Sequence, residues 1–324
     1  MASRARPVVF IVTPATRSSN NGNWRTAARW SRMLRDRYRV IVQTAWDGRP
    51  ADALIALHAR RSAASVSAWR ERHPEAPLGV VLTGTDLYRD LPESKEARAS
   101  LDLADRLVVL QDDALRKLAA AWRRKAQVIF QSAPALEARA KPTQPLKCVV
   151  VGHLREEKSP QTIWDAMALL PAQLPVEVRH IGEALDAELG EKARQCESRD
   201  ARYRWLGALS NARTRSAMRA SHLLVHPSIM EGGANVIVEA VTAGTAVLAS
   251  RMSGNVGMLG RDYPGYFRVG DARGLARLIA RAQRDADFRT SLERACRKRR
   301  PLFRPESEAR AVNALVAGLL EARR

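Results

Sequence analysis

Two doubly wound parallel sheets, an α/β fold, are predicted by three features of this chain: its length, an alternation of short β-branched runs with longer helical stretches, and a restart of that alternation near the middle. At 324 residues the chain exceeds the size at which one hydrophobic core keeps growing, so two domains are expected. Runs at 8–12, 40–42, 53–57, 79–82, 106–110 and 127–130 have strand composition. The stretches 24–37, 59–72, 93–103 and 113–123 between them have helical length and composition. Such alternation implies parallel strands joined by crossover helices. Pro134, Pro142 and Pro145 then punctuate a polar stretch without periodicity, which reads as a linker with a boundary near residue 140. The second series runs through 146–152, 176–181, 203–206, 223–226, 246–250 and 266–269. The expected division is an acceptor domain over 1–140, a donor domain over 141–305, and a C-terminal helix, 306–324, packing across both. Ligands are expected at the carboxyl ends of the strands, in a cleft where the two domains face each other.

Composition narrows the function classes. The chain is 46% hydrophobic and 27% charged, as in an ordinary globular protein, which excludes disorder over most of its length. No apolar run approaches the roughly 20 residues that span a bilayer, and the run at 8–12 is too short for a signal-peptide core, so a cytoplasmic protein without stable membrane insertion is expected. Cys148, Cys196 and Cys296 are odd in number and far apart, with neither a CxxC pair nor metal-like histidine spacing; a reducing compartment and no metal site are expected. Asp285-Ala-Asp287 has a DxD pattern but sits in a basic helical region and reads as the start of a helix. The formal net charge of +20, from 54 basic residues of which only eight are lysine, favours anionic partners. Residues 273–324 alone carry 14 basic and 6 acidic side chains, which also read as a solvated helical face. Nucleic acid is one such partner, but no nucleic-acid-binding module is present and aromatics are only 5% of residues, leaving little for base stacking.

The most informative string is Glu231-Gly-Gly-Ala-Asn-Val-Ile-Val-Glu239, directly after the strand-like run 221–228. The diglycine permits positive φ and close backbone approach, and the apolar run after it starts a helix whose free N–H groups attract phosphate. Glu231 then lies in the loop at the helix mouth, and Glu239, two turns on, can face the same crevice. One acid suits sugar hydroxyls and the other a ribose diol; a capped surface helix with a solvated acid at each end is the other reading. A second strand-to-helix loop, Gly152-His-Leu-Arg-Glu-Glu-Lys-Ser-Pro160, presents Arg155 and Lys158, cations that can clamp a departing diphosphate without metal. In the first half, the polar loop 13–24 contains one glycine, Gly22, and lacks GxGxxG, so it suits a phosphate or sugar at a helix mouth better than a dinucleotide; a simple flexible loop is the other reading.

These motifs resemble those of retaining GT-B glycosyltransferases of the family 4 type, with two Rossmann-like domains. The Lys158 loop, His226-Pro-Ser228 and the Glu-x7-Glu element carry the likeness. More narrowly, Ser19-Asn-Asn-Gly-Asn-Trp-Arg-Thr-Ala27, Leu57-His-Ala-Arg-Arg-Ser62, Leu82-Thr-Gly-Thr-Asp-Leu-Tyr88 and the Gly152 loop resemble the selenosugar synthases of selenoneine biosynthesis. The resemblance implies transfer of a sugar, N-acetylglucosamine, from a UDP donor to the selenium of selenophosphate, with no cofactor or metal; an ordinary family 4 transfer to a carbohydrate, lipid or small alcohol is the other reading. It also implies that Lys158 binds the donor diphosphate, that Glu239 binds the ribose, and that Glu231 with the amides of Gly232, Gly233, Ala234 and Asn235 holds the sugar and phosphate. Gly22, His153 and Arg155 complete the donor set; family 4 enzymes usually have arginine where His153 stands, and Arg155 can compensate from two positions on.

On the acceptor side, an alcohol must lose a proton during attack, whereas a selenophosphate selenium is already anionic and needs cations more than a base. His58, Arg60 and Arg61 after one strand end, and Asn21, Asn23, Trp24 and Arg25 at the first loop, are the expected acceptor residues, with Thr85 beside them. For Arg60 and Arg61 the other reading is the start of a solvated helix. Asp86 is expected either to act on the reacting groups, joining Glu231 and Lys158 as a catalytic residue, or to serve as a helix N-cap.

Overall fold

The computed structural model describes residues 6–16, 22–137 and 139–321. They form two compact units: one reaches Gln131 and resumes at Pro305, and the other is Ser132–Arg304. The first contains six parallel strands, β1 (Val8–Val12), β2 (Arg39–Gln43), β3 (Ala53–Leu57), β4 (Leu78–Leu82), β5 (Arg106–Val109) and β6 (Ala126–Val128), in the order β2-β1-β3-β4-β5-β6. Strands β3 and β4 are buried throughout, which is why they read as continuous apolar runs rather than alternating ones. Successive residues still divide between two cores. Phe10, Leu54, Val80 and Leu82 pack with Trp69 on one face, and Val9, Ile11, Ile55 and Val81 pack with Trp30 on the other.

The C-terminal helix Pro305–Glu321 belongs to this first unit. Its Val312, Leu315, Val316 and Leu319 enter the second of those cores. Glu308, 1% exposed, accepts from Trp30 Nε1 at 2.8 Å and from Arg29 Nε at 2.7 Å. Removing that carboxylate would strand a largely buried guanidinium, a loss of about 3–5 kcal/mol.

The second unit contains β7 (Leu146–Val151), β8 (Val176–Ile181), β9 (Tyr203–Trp205), β10 (Leu223–His226), β11 (Ala246–Ser250) and β12 (Tyr266–Phe267), ordered β12-β11-β10-β7-β8-β9 and again parallel. Both units are doubly wound α/β sheets of the Rossmann type. Among the described residues no helix is long and apolar enough to cross a membrane.

Three expectations shift. The stretch around residue 140 is no free linker. Ala133 N–H donates to Phe303 O at 3.2 Å, Leu136 N–H to Thr242 O at 3.1 Å, and Lys141 Nζ to Gly244 O at 3.0 Å, so the chain is fastened to the second unit from 132 onward. The helix expected from 59 begins at Ala63, because His58 takes φ 74° and the next four residues form a turn. The helix expected over 113–123 is a tight turn, Asp112–Lys117, then a short helix, Ala120–Arg124; Leu118, between them, turns into the core. Helix propensity there yields to tertiary burial.

Candidate active site

In the second sheet β7 has β8 on one side and β10 on the other, so the chain winds away in opposite directions from this pair. The loops leaving β7 and β10 therefore diverge above adjacent strand ends and open a crevice, as at any topological switch point. Ile229 N–H donates to Glu157 O at 3.0 Å and stitches the two loops together. Two glycines permit the close packing. A Cβ on Gly182 would lie 1.9 Å from Gly152 O, and one on Gly254 would lie 2.1 Å from Glu231 O. Neither glycine stood out in the sequence; the only signal was a glycine at, or a few residues past, a strand end.

Lys158 ends a tight turn, Glu156–Lys158, and its stem lies over Gly152, where a Cβ would meet it at 3.3 Å. Ser159 follows with φ 48°, a left-handed conformation unusual for a side-chain-bearing residue, and Pro160 opens the next helix. The result aims Lys158 Nζ across the crevice into an ion pair with Glu231 Oε1. The partners are 73 positions apart. His226, the last residue of β10 and 1% exposed, places Nε2 3.5 Å from the same carboxylate oxygen and, among the described residues, finds no hydrogen-bond partner for that nitrogen. Burial pushes the His226 pKa down to about 4, against the pull of Glu231, so the ring is neutral at pH 7. For Glu231, burial acts to raise the pKa, but Lys158 and then His226 outweigh it and hold the carboxyl below its ordinary range. The carboxylate is ionised at neutral pH.

Gly232, Gly233 and Ala234 lead into helix Asn235–Thr242, whose N-cap residue, Ala234, makes no side-chain cap to the first turn. A first turn without a side-chain cap presents the positive end of the helix dipole to an incoming anion. Glu239, on the second turn, accepts from Asn211 Nδ2 at 3.0 Å, which ties it to the helix after β9. Exposed Arg155 lies 3.9 Å from Glu157 and supports no close ion pair. The ring of His153 accepts from Glu183 N–H at 3.1 Å through Nδ1.

Behind the β10 loop, Ser250 Oγ donates to Ser228 O at 2.5 Å, and Asn255 Nδ2 donates to Ser250 O at 2.9 Å. Ser250 and Asn255 are neighbours of the site that motif reading did not single out, whereas His226 and Ser228 lie in a segment that carried the likeness but were given no role there. Asp285 accepts from Phe288 N–H at 2.8 Å as the cap of helix Ala286–Arg299, the helix start expected of it.

The first unit has a switch point of its own, between β1 and β3. Asn21 lies outside the described residues. Gly22, Asn23, Trp24 and Arg25 form the first turn of helix Gly22–Leu34, and Thr26 Oγ1 donates to Gly22 O at 2.9 Å. After β3, buried His58 accepts the Arg61 N–H at Nδ1 (3.3 Å) and places Nε2 3.0 Å from Thr85 Oγ1. With Nδ1 an acceptor, the proton sits on Nε2; burial lowers the pKa and keeps the ring neutral. Arg60 Nε is 2.9 Å from Asp90 Oδ2, while the Arg61 side chain is exposed. His58, Arg60, Thr85 and Asp90 thus converge, with Asp90 as the charge that balances Arg60.

Asp86 is held by backbone amides on both carboxylate oxygens. Its Oδ1 accepts from the amides of Thr83 (2.9 Å), Gly84 (2.7 Å) and Leu87 (3.1 Å), and its Oδ2 from Ala59 N–H (3.1 Å), all within a buried pocket. Such a carboxylate has its lone pairs committed and closes two loops together; this is the geometry of an anchor rather than of a group that handles protons or sugar hydroxyls.

Residues 134–299, more than half of the chain, match the model of the family Glycosyl transferases group 1. Solved structures with the same fold include HepE of Anabaena in complex with UDP and glucose (TM-score 0.76, 16% identity, covering 97% of this chain and 100% of that one). They also include a sucrose-phosphate synthase from Thermosynechococcus elongatus (TM-score 0.78, 17% identity, 98% and 100%). A third is the pneumococcal O-GlcNAc transferase GtfA in complex with UDP and GlcNAc (TM-score 0.65, 13% identity, 83% and 57%). A search of the curated proteins found no match.

Proposed function

This chain belongs to the group 1 glycosyl transferases, and from that premise we propose that it transfers a sugar, N-acetylglucosamine, from a UDP donor to the selenium of selenophosphate. The donor half rests on one observation: Lys158, Glu231 and neutral His226 meet at a switch point in front of a helix without a side-chain cap. As the bond from the sugar C1 to the diphosphate oxygen breaks, its electron pair leaves with UDP. Lys158 and the amides of the Gly232 to Asn235 turn stabilise the charge that develops there. Glu231 holds sugar hydroxyls, and Glu239, braced by Asn211, takes the ribose diol. The UDP of the HepE and GtfA complexes supports this choice of donor.

The acceptor half rests on the likeness of four segments to selenosugar synthases and on an observation about bases. In the loops after β3 and β4, Asp86 is committed to backbone amides, Asp90 faces Arg60, and both nitrogens of His58 are engaged. An alcohol acceptor finds no free base among these residues, whereas a selenophosphate selenium carries its own negative charge and has no proton to lose. The new C–Se bond then forms as the C–O bond breaks. Incubation with UDP-N-acetylglucosamine and selenophosphate, set against a panel of alcohols, is the test. A product with the mass of the glycosyl selenophosphate is expected, or of the free selenosugar once water cleaves its P–Se bond and releases phosphate. Product from alcohols alone would replace the acceptor and keep the donor, and absence of UDP binding by calorimetry would overturn both halves.

A further inference from the structure

On the second unit, away from the Lys158 loop, a hollow of about 320 Å³ lies between the turn that follows helix Ser253–Leu259 and one face of helix Ala286–Arg299. Arg261, Arg294, Lys298 and Arg299 line it, with Asp262 as its one acid. Arg299 is already engaged by the fold. Its Nε and Nη2 donate to Met258 O and Gly257 O, at 2.9 and 2.7 Å, and tie off the end of helix Ser253–Leu259. Arg294 and Lys298 differ. They are exposed, one helical turn apart on the same face, and neither makes an ion pair or hydrogen bond with any described residue. Like charges at that spacing repel and weaken a helix. The repulsion is relieved if an anion enters between them. A concave wall matters here, because cations around a hollow focus their field where scattered surface charges do not.

We propose that this hollow is a second anion site, separate from the Lys158 crevice, and that it takes a phosphate group of two or more negative charges. The four cations exceed the one acid by three, so a multiply charged group is matched and a monoanion is not. Arg294 supplies the planar fork that a phosphate accepts from two nitrogens at once, and Lys298 a mobile point charge. The volume admits a phosphomonoester or a pyrophosphate with part of what bears it, and a free metabolite and a lipid headgroup share that chemistry.

Calorimetry with inorganic pyrophosphate on the Lys158→Ala protein isolates the hollow from the crevice. Saturable binding at one site per chain is expected, with affinity falling about tenfold or more in the triple variant that adds Arg294→Gln and Lys298→Gln. Both added changes lie on the surface, so an unchanged melting temperature verifies the fold. Flotation with phosphatidylcholine vesicles, with and without phosphatidic acid, identifies the source. Recruitment that is lost in the Arg294→Gln/Lys298→Gln protein assigns a lipid phosphate, and pyrophosphate binding without recruitment assigns a soluble one. If Lys158→Ala protein binds neither ligand, or binds either equally well with and without Arg294 and Lys298, the site does not exist.

Discussion

The two switch points of this chain have the same topology and opposite electrostatic economies. At the β7/β10 crevice, Lys158 and Glu231 come from different loops, meet beside buried His226, and stand before a helix end without a side-chain cap. At the β1/β3 end, the charges are absorbed locally: Asp86 by four backbone amides, Arg60 by Asp90. Under the proposed function the first arrangement exchanges a protein partner for a ligand, an incoming diphosphate competing with Glu231 for Lys158. The second holds a loop in shape. Identical winding therefore does not confer identical chemistry, and the difference lies in whether each charge is satisfied within its own loops or across a gap.

The largest effect should come from the bridging cation. Lys158→Ala is expected to lower kcat/KM for the UDP-sugar by roughly 10²–10³-fold, and steady-state kinetics with UDP calorimetry would measure it. Retention of full activity would erase the distinction between the two switch points.

The next effect is on pH and concerns stability. Burial sets the pKa of His226 and of His180 at about 4 in the folded chain, below an ordinary value of 6.5. Because the folded values are depressed, the stability they contribute is complete above pH 6.5. It is lost progressively as pH falls towards 4, when the unfolded chain takes up protons the folded one refuses. At pH 5 the loss is about 2 kcal/mol per ring. Urea unfolding at pH 7.5 and pH 5 should show it, with a smaller difference in His226→Gln; equal differences in the two proteins would show that His226 is not buried as a neutral ring.

A smaller and different effect is expected at Asp86. Asp86→Asn turns an acceptor oxygen into a donor facing amides, at a cost of about 2 kcal/mol. The melting temperature should fall while turnover of the folded fraction stays within about twofold; a larger loss of turnover would return Asp86 to the catalytic group. Least of all should follow from Arg155→Gln. Its guanidinium is exposed and 3.9 Å from Glu157, so a change in KM below about threefold is expected. A tenfold rise would show that Arg155 does replace the arginine that His153 displaces.

Legibility varied by region for physical reasons. Strands such as β1 and β3 were read at their observed limits because a buried parallel strand writes a continuous apolar run. The Glu231 to Glu239 element was readable because a loop, a helix start and a helix turn are contiguous in sequence. The tail helix and the segment from 132 to 145 were harder. Apolar faces announce that they will be covered but not by what, and backbone bonds such as Leu136 to Thr242 leave no trace in side-chain pattern. His58 with positive φ and the anchoring of Asp86 were likewise invisible, since each depends on loops brought together from separate strands.

By itself the sequence determined the class of fold, the parallel sense of both sheets and the short motifs at strand ends, because hydrophobic period and glycine placement act over a few residues. Only the tertiary structure decided which charge answers which, as with Lys158 and a glutamate 73 positions away. Coulomb attraction and desolvation depend on distance and burial after folding, and no local pattern carries either quantity.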